Sequence, residues 1–76
     1  MAVKDLERKH LAQADRHIAD CKALIARQEE LVRRIAQRGQ PTDWAEDTLH
    51  VLESSLHMFE QHRRLIVSAL EAERRR

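Results

Sequence analysis

Cys21 and two histidines, His17 and His62, are the side chains in this sequence best suited to act together. His17 and Cys21 are four residues apart, so they point to the same side of a helix. If the chain folds back on itself near residue 40, His62 is expected to lie level with them on a second helix. A thiolate and two imidazoles can form a zinc shell with one open coordination position.

The same positions also fit a polar layer inside a helical core. In that interpretation His17, Gln28, His62 and Arg63 fix the register of pairing, as single polar core residues can in helical bundles. We favour this layer and expect no metal and no cofactor, because the spacing does not force the metal candidates to converge. We expect His17 and His62 to be partly or fully buried, with Arg63 or Asp20 as a hydrogen-bond partner.

Other chemistry has less support in the sequence. Glu7 and His10 have the Glu-x-x-His spacing of di-iron bundles, but such a centre needs a second motif, and Glu53 and His57 are wrongly spaced. Cys21 lies in an apolar row, where a thiol behaves as a small hydrophobe. The chain has one glycine and no nucleotide-binding or serine-hydrolase pattern. We therefore predict that the protein is not an enzyme.

The elements that position these side chains are two long amphipathic helices. Apolar residues recur at spacings of three and four along the chain, and the only glycine and only proline, Gly39 and Pro41, interrupt them together. The pattern predicts an all-α antiparallel two-helix hairpin in one domain, residues 1–76. Helix 1 covers about 3–38, the turn 39–42 and helix 2 about 43–74. Thr42 or Asp43 is the expected N-cap, and Asp43 with Glu46 has capping-box spacing.

The two helices of a hairpin contact each other along one line, which we call the seam. Each helix carries an apolar arc that is wider than this one seam can cover. We therefore predict that the hairpin forms a homodimer, an antiparallel four-helix bundle. Trp44 and Met58 are interpreted as core residues. The predicted core and interface residues are Leu11, Ile18, Ile25 and Val32 on helix 1 and Leu52, Phe59 and Ile66 on helix 2.

Charge and composition limit the partners. The net charge is +1, which argues against a polybasic nucleic-acid binder. Residues 43–60 hold five acids and no Lys or Arg, and we expect them to pair with the arginines of residues 27–38 across the hairpin. A single cysteine fits a reducing cytoplasm. No apolar run is long enough for a bilayer, and the N-terminus carries acids where a signal peptide needs an apolar core.

A Rop-like RNA- or DNA-binding regulator is an alternative function. Arginine clusters could contact phosphates at Arg33-Arg34, Arg38, Arg63-Arg64 and Arg74-Arg75-Arg76. Interspersed acids and the lack of aromatic residues among these arginines argue against it. A small metal- or ligand-binding bundle is a further alternative, and an unidentified protein partner is a third.

Five short stretches of this sequence occur in the order of a known pattern. They are Ala14–Ile18, Ile25–Gln28, Gly39-x-x-Thr42, Leu52–Leu56 and His62–Ile66. Over about residues 10–70 the chain resembles a set of short bacterial helical-hairpin proteins. The resemblance implies the hairpin fold and a bacterial cytoplasmic setting, and it implies no activity. His17 and His62 coincide with its motif positions, and Cys21 does not. The function we predict is a non-enzymatic, homodimeric protein-interaction module.

Overall fold

The fold is a helical hairpin, seen in a computed structural model that describes residues 3–75. Helix α1 covers Val3–Gln37 and helix α2 covers Asp43–Arg74, and the two pack against each other along their length. No strand occurs within the described range. The molecule is a rod of 59 × 15 × 14 Å. Neither helix, over the residues described, is apolar enough over a sufficient length to span a membrane.

A Schellman turn ends α1 one residue earlier than expected, at Gln37. Gly39 has φ +71°, the left-handed conformation that glycine adopts without a steric penalty. Its N–H donates to the Ala36 carbonyl at 2.9 Å, and the Gln40 N–H donates to the Ile35 carbonyl at 3.2 Å. These two bonds satisfy carbonyls that a helix end otherwise leaves without partners. The chain then reverses through Pro41 into α2.

The start of α2 differs from the expected capping box. Thr42 occupies the N-cap position and Asp43 is the first helical residue, so the Asp43–Glu46 pairing does not form a box. The Thr42 hydroxyl bonds no backbone N–H and instead donates to the Glu46 carboxylate at 2.8 Å. Asp43 and Glu46 still place negative charge in the first turn, where the helix dipole favours it.

The seam between the helices contains few fully buried side chains. Within the described chain they are Ala14, Cys21 and Ile35 from α1 and Ala45 and Ile66 from α2. Of the predicted core residues Ile66 is buried, whereas the other six are half-buried: Leu11, Ile18, Ile25, Val32, Leu52 and Phe59. The centre of the seam on α1 is therefore the row that contains Cys21, and the predicted leucine and isoleucine row flanks it.

The alignment of the helices also differs from the expected one. Cys21 contacts Leu52, and the ring of His17 packs on Phe59. A hairpin folded symmetrically about residues 40 and 41 would place His62 at the level of both His17 and Cys21. In that arrangement Cys21 would face residue 60 and His17 would face residue 64. The observed partners, Leu52 and Phe59, lie eight and five residues nearer the turn, a displacement of more than one helical turn. His62 therefore lies beyond Cys21, nearer to Ala14.

Candidate interaction surface

The residues predicted to act together at a metal site are separated in the structure. The Cys21 thiol is buried in the seam and donates to the Leu52 carbonyl, with the sulfur 3.4 Å from the oxygen. His17 and His62 are both exposed. Within residues 3–75, no three His, Cys, Asp or Glu side chains converge on a point that could hold a metal ion. The metal site considered from the sequence, His17, Cys21 and His62, is thus not assembled in the hairpin.

The expected polar layer is also absent in the form predicted. His17 and His62 were expected to be buried, and both are exposed because their row lies at the edge of the seam rather than at its centre. Gln28 enters the seam and donates to the Ala45 carbonyl at 2.8 Å. Arg63 forms an ion pair with Asp15 across the two helices instead of bonding a histidine. The polar contacts therefore lie at separate levels along the seam.

The arginines near the turn pair within their own helix. Arg33 and Arg34 both bond the Glu30 carboxylate. The hydrogen bond and charge of Arg33, with a smaller contribution from Arg34, lower the pKa of Glu30 below its ordinary value. The expected pairing of these arginines with the acids of α2 is not seen among residues 3–75, where Asp15–Arg63 is the ion pair that joins the helices. Part of the charge that could attract phosphate is neutralised in this way.

The most unusual surface of the molecule is an apolar stripe along α2, formed by Trp44, Val51, Met58 and Leu65. Spaced seven residues apart, the four lie above one another on one side of the helix. They are respectively 61%, 64%, 70% and 70% exposed. The interpretation of Trp44 and Met58 as core is wrong for the isolated hairpin, in which both face outward. A contiguous apolar surface of this kind is typical of an interaction site.

The groove between the helices opens beside this stripe. One part, of about 290 Å³, is lined by His17, Asp20, Cys21, Leu24, Leu52, Ser55 and Phe59. A second part, of about 310 Å³, is lined by His10, Gln13, Ala14, His17 and His62. Leu24 is 47% exposed at its edge. We call the stripe together with this groove the stripe face.

Two hydroxyl groups beside the stripe, those of Thr48 and Ser55, form hydrogen bonds within α2. The Thr48 hydroxyl donates to the Trp44 carbonyl at 3.1 Å, and the Ser55 hydroxyl donates to the Val51 carbonyl at 3.0 Å. Their protons are thus already bonded within α2, which lowers the cost of excluding water from this surface. Within the described chain, no buried side-chain N or O atom lacks a hydrogen-bond partner.

Comparison with other proteins adds no assignment to this surface. The chain matches no known protein family, no curated protein and no solved structure.

Proposed function

We propose that the protein is a non-enzymatic interaction module whose functional form is a homodimer, a four-helix bundle made of two hairpins. The observation that carries this proposal is the amount of surface that the single chain leaves exposed. Among the residues that the structure describes, five buried side chains form a core only one residue deep between two helices.

The exposed area supports a second copy quantitatively. The chain exposes 6080 Å², whereas a compact monomer of its mass is expected to expose about 4,900 Å². The excess of about 1,200 Å² falls in the range that each protomer contributes to an obligate dimer interface. Chains of this length commonly depend on disulfides, a metal or oligomerisation for stability. This chain has one cysteine, so it cannot form an internal disulfide.

A second copy is also the partner that the charges favour. The net charge is +1, so two chains approach each other without strong mutual repulsion. A partner required for folding must be present wherever the chain is made, and another copy always satisfies that condition. In keeping with the single thiol and the resemblance to bacterial hairpins, we place the module in a bacterial cytoplasm.

Sedimentation equilibrium of the purified chain at micromolar concentration tests the proposal. We expect a species of twice the 9.0 kDa chain mass. We also expect a melting temperature that rises with protein concentration, because association stabilises the folded state by mass action. A folded 9.0 kDa monomer that melts cooperatively and independently of concentration would refute the proposal. Self-association only in the presence of added RNA would favour the nucleic-acid alternative instead.

A further inference from the structure

We propose that the second copy docks on the stripe face, and that the opposite face of the hairpin remains in water. This inference rests on the proposed function, and it adds the surface through which the copies meet. The hairpin has two open sides along its seam, and their structures differ in exposure, in bordering charge and in internal bonding.

Exposure distinguishes the two sides first. On the opposite side the flanking rows are half-buried along their whole length: Leu11, Ile18, Ile25, Val32, Leu49, Leu56, Arg63 and Leu70. On the stripe face Val51, Met58 and Leu65 are each more than 60% exposed. The apolar area still in contact with water is therefore concentrated on the stripe face, and burying that area drives association.

Bordering charge distinguishes them next. The rows that border the opposite side are rich in charge: Arg8, Asp15, Lys22 and Glu29 on α1, and Glu46, Glu53 and Glu60 on α2. On the stripe face the matching α2 row is the apolar stripe itself, and the matching α1 row is Leu6, Gln13, Asp20, Arg27 and Arg34. These two rows hold three charged residues, against the seven that border the opposite side. A copy docked on the stripe face thus desolvates fewer charged groups, which are costly to bury.

The opposite side has a groove of about 440 Å³ far from the turn, lined by Arg8, Leu11, Val67, Leu70, Glu71 and Arg74, and a bond between the helices crosses that side at one level. The Arg63 guanidinium and the Asp15 carboxylate pair across the seam there. A partner helix seated on that side would have to displace or dehydrate this ion pair. On the stripe face the groove beside Phe59 and Ser55 is open, and no ion pair crosses it within residues 3–75.

Thiol footprinting at two adjacent residues tests this inference. In a Cys21→Ala chain, which has no native thiol, the variants Met58→Cys and His57→Cys each introduce one thiol at a position that is exposed in the hairpin. Met58 belongs to the stripe, whereas His57 points away from both open sides. In the assembled protein we expect the thiol of the Met58→Cys variant to react with a maleimide roughly tenfold or more slowly than the thiol of the His57→Cys variant. The difference between the two reaction rates should shrink when the protein is diluted below the dissociation constant of the dimer.

A charge substitution gives a second, matched comparison. Met58→Glu and Val51→Glu should shift the protein toward monomer by at least about tenfold in dissociation constant, whereas His57→Glu should leave the constant within about threefold. Equal maleimide rates at positions 57 and 58 in a protein that is dimeric by sedimentation would overturn the docking face and leave self-association intact. A monomeric, folded parent chain would overturn both. Because footprinting is done on the assembled state, it stays informative if the Glu variants fail to fold.

Discussion

The thiol of Cys21 and the backbone carbonyl of Leu52 meet in the seam, with the sulfur 3.4 Å from the oxygen. This contact joins the two helices near the middle of the rod and shows how they are aligned. It also gives the thiol a structural role, since a buried sulfur that donates to a carbonyl is not available as a metal ligand or nucleophile.

We expect Cys21 to be chemically inert in the folded protein. Burial should make its reaction with a thiol reagent much slower in buffer than in denaturant. Cys21→Ala should lower the free energy of unfolding by about 1 kcal/mol, as for the loss of one buried methylene-sized group. Denaturant titration and the rate of thiol modification measure the two effects. Rapid modification of the folded chain would show that the seam opens at this level.

Phe59 should be the most costly side chain of α2 to truncate. Its ring lies in the seam row and packs on His17, with the ring centroids 5.3 Å apart. Phe59→Ala should destabilise the protein by about 3–5 kcal/mol, the usual cost of removing an aromatic ring from a core. The control His57→Ala, at an exposed position, should change stability by no more than about 0.5 kcal/mol. Similar losses for the two variants would mean that the seam is wrongly assigned.

Periodicity and turn chemistry were sufficient to predict the fold. The 3- and 4-residue spacing predicted two helices, and Gly39 followed by Pro41 predicted the place where the chain reverses. The prediction of an all-α hairpin is confirmed. Gly39 adopts the left-handed conformation that the helix end requires.

The alignment of the helices and the exposure of individual rows could not be predicted in the same way. They depend on how small residues such as Ala14 and Ala45 let the helices settle against each other, which is a property of packing and not of spacing. The observed displacement, more than one helical turn, separates His62 from Cys21. For the same reason, the sequence identified the Trp44 to Leu65 row as apolar without showing that the single hairpin leaves it uncovered.

Gly39 should resist substitution for conformational reasons alone. A Cβ at this position meets no heavy atom within 4 Å, so any penalty comes from the backbone at φ +71°. Gly39→Val should lower the free energy of unfolding by about 1–2 kcal/mol. Gly39→Asn should cost less, because asparagine tolerates the left-handed conformation better than other residues. Equal stability of the valine variant and the parent chain would contradict the Schellman turn.

The Asp15–Arg63 ion pair should contribute little to stability. Both side chains are about half-exposed, so water and salt screen their attraction. A double-mutant cycle with Asp15→Ala and Arg63→Ala should give a coupling free energy below about 1 kcal/mol, and lower still at high salt. A larger, salt-independent coupling would indicate that assembly buries this side of the hairpin. That result would count against the stripe face as the docking surface.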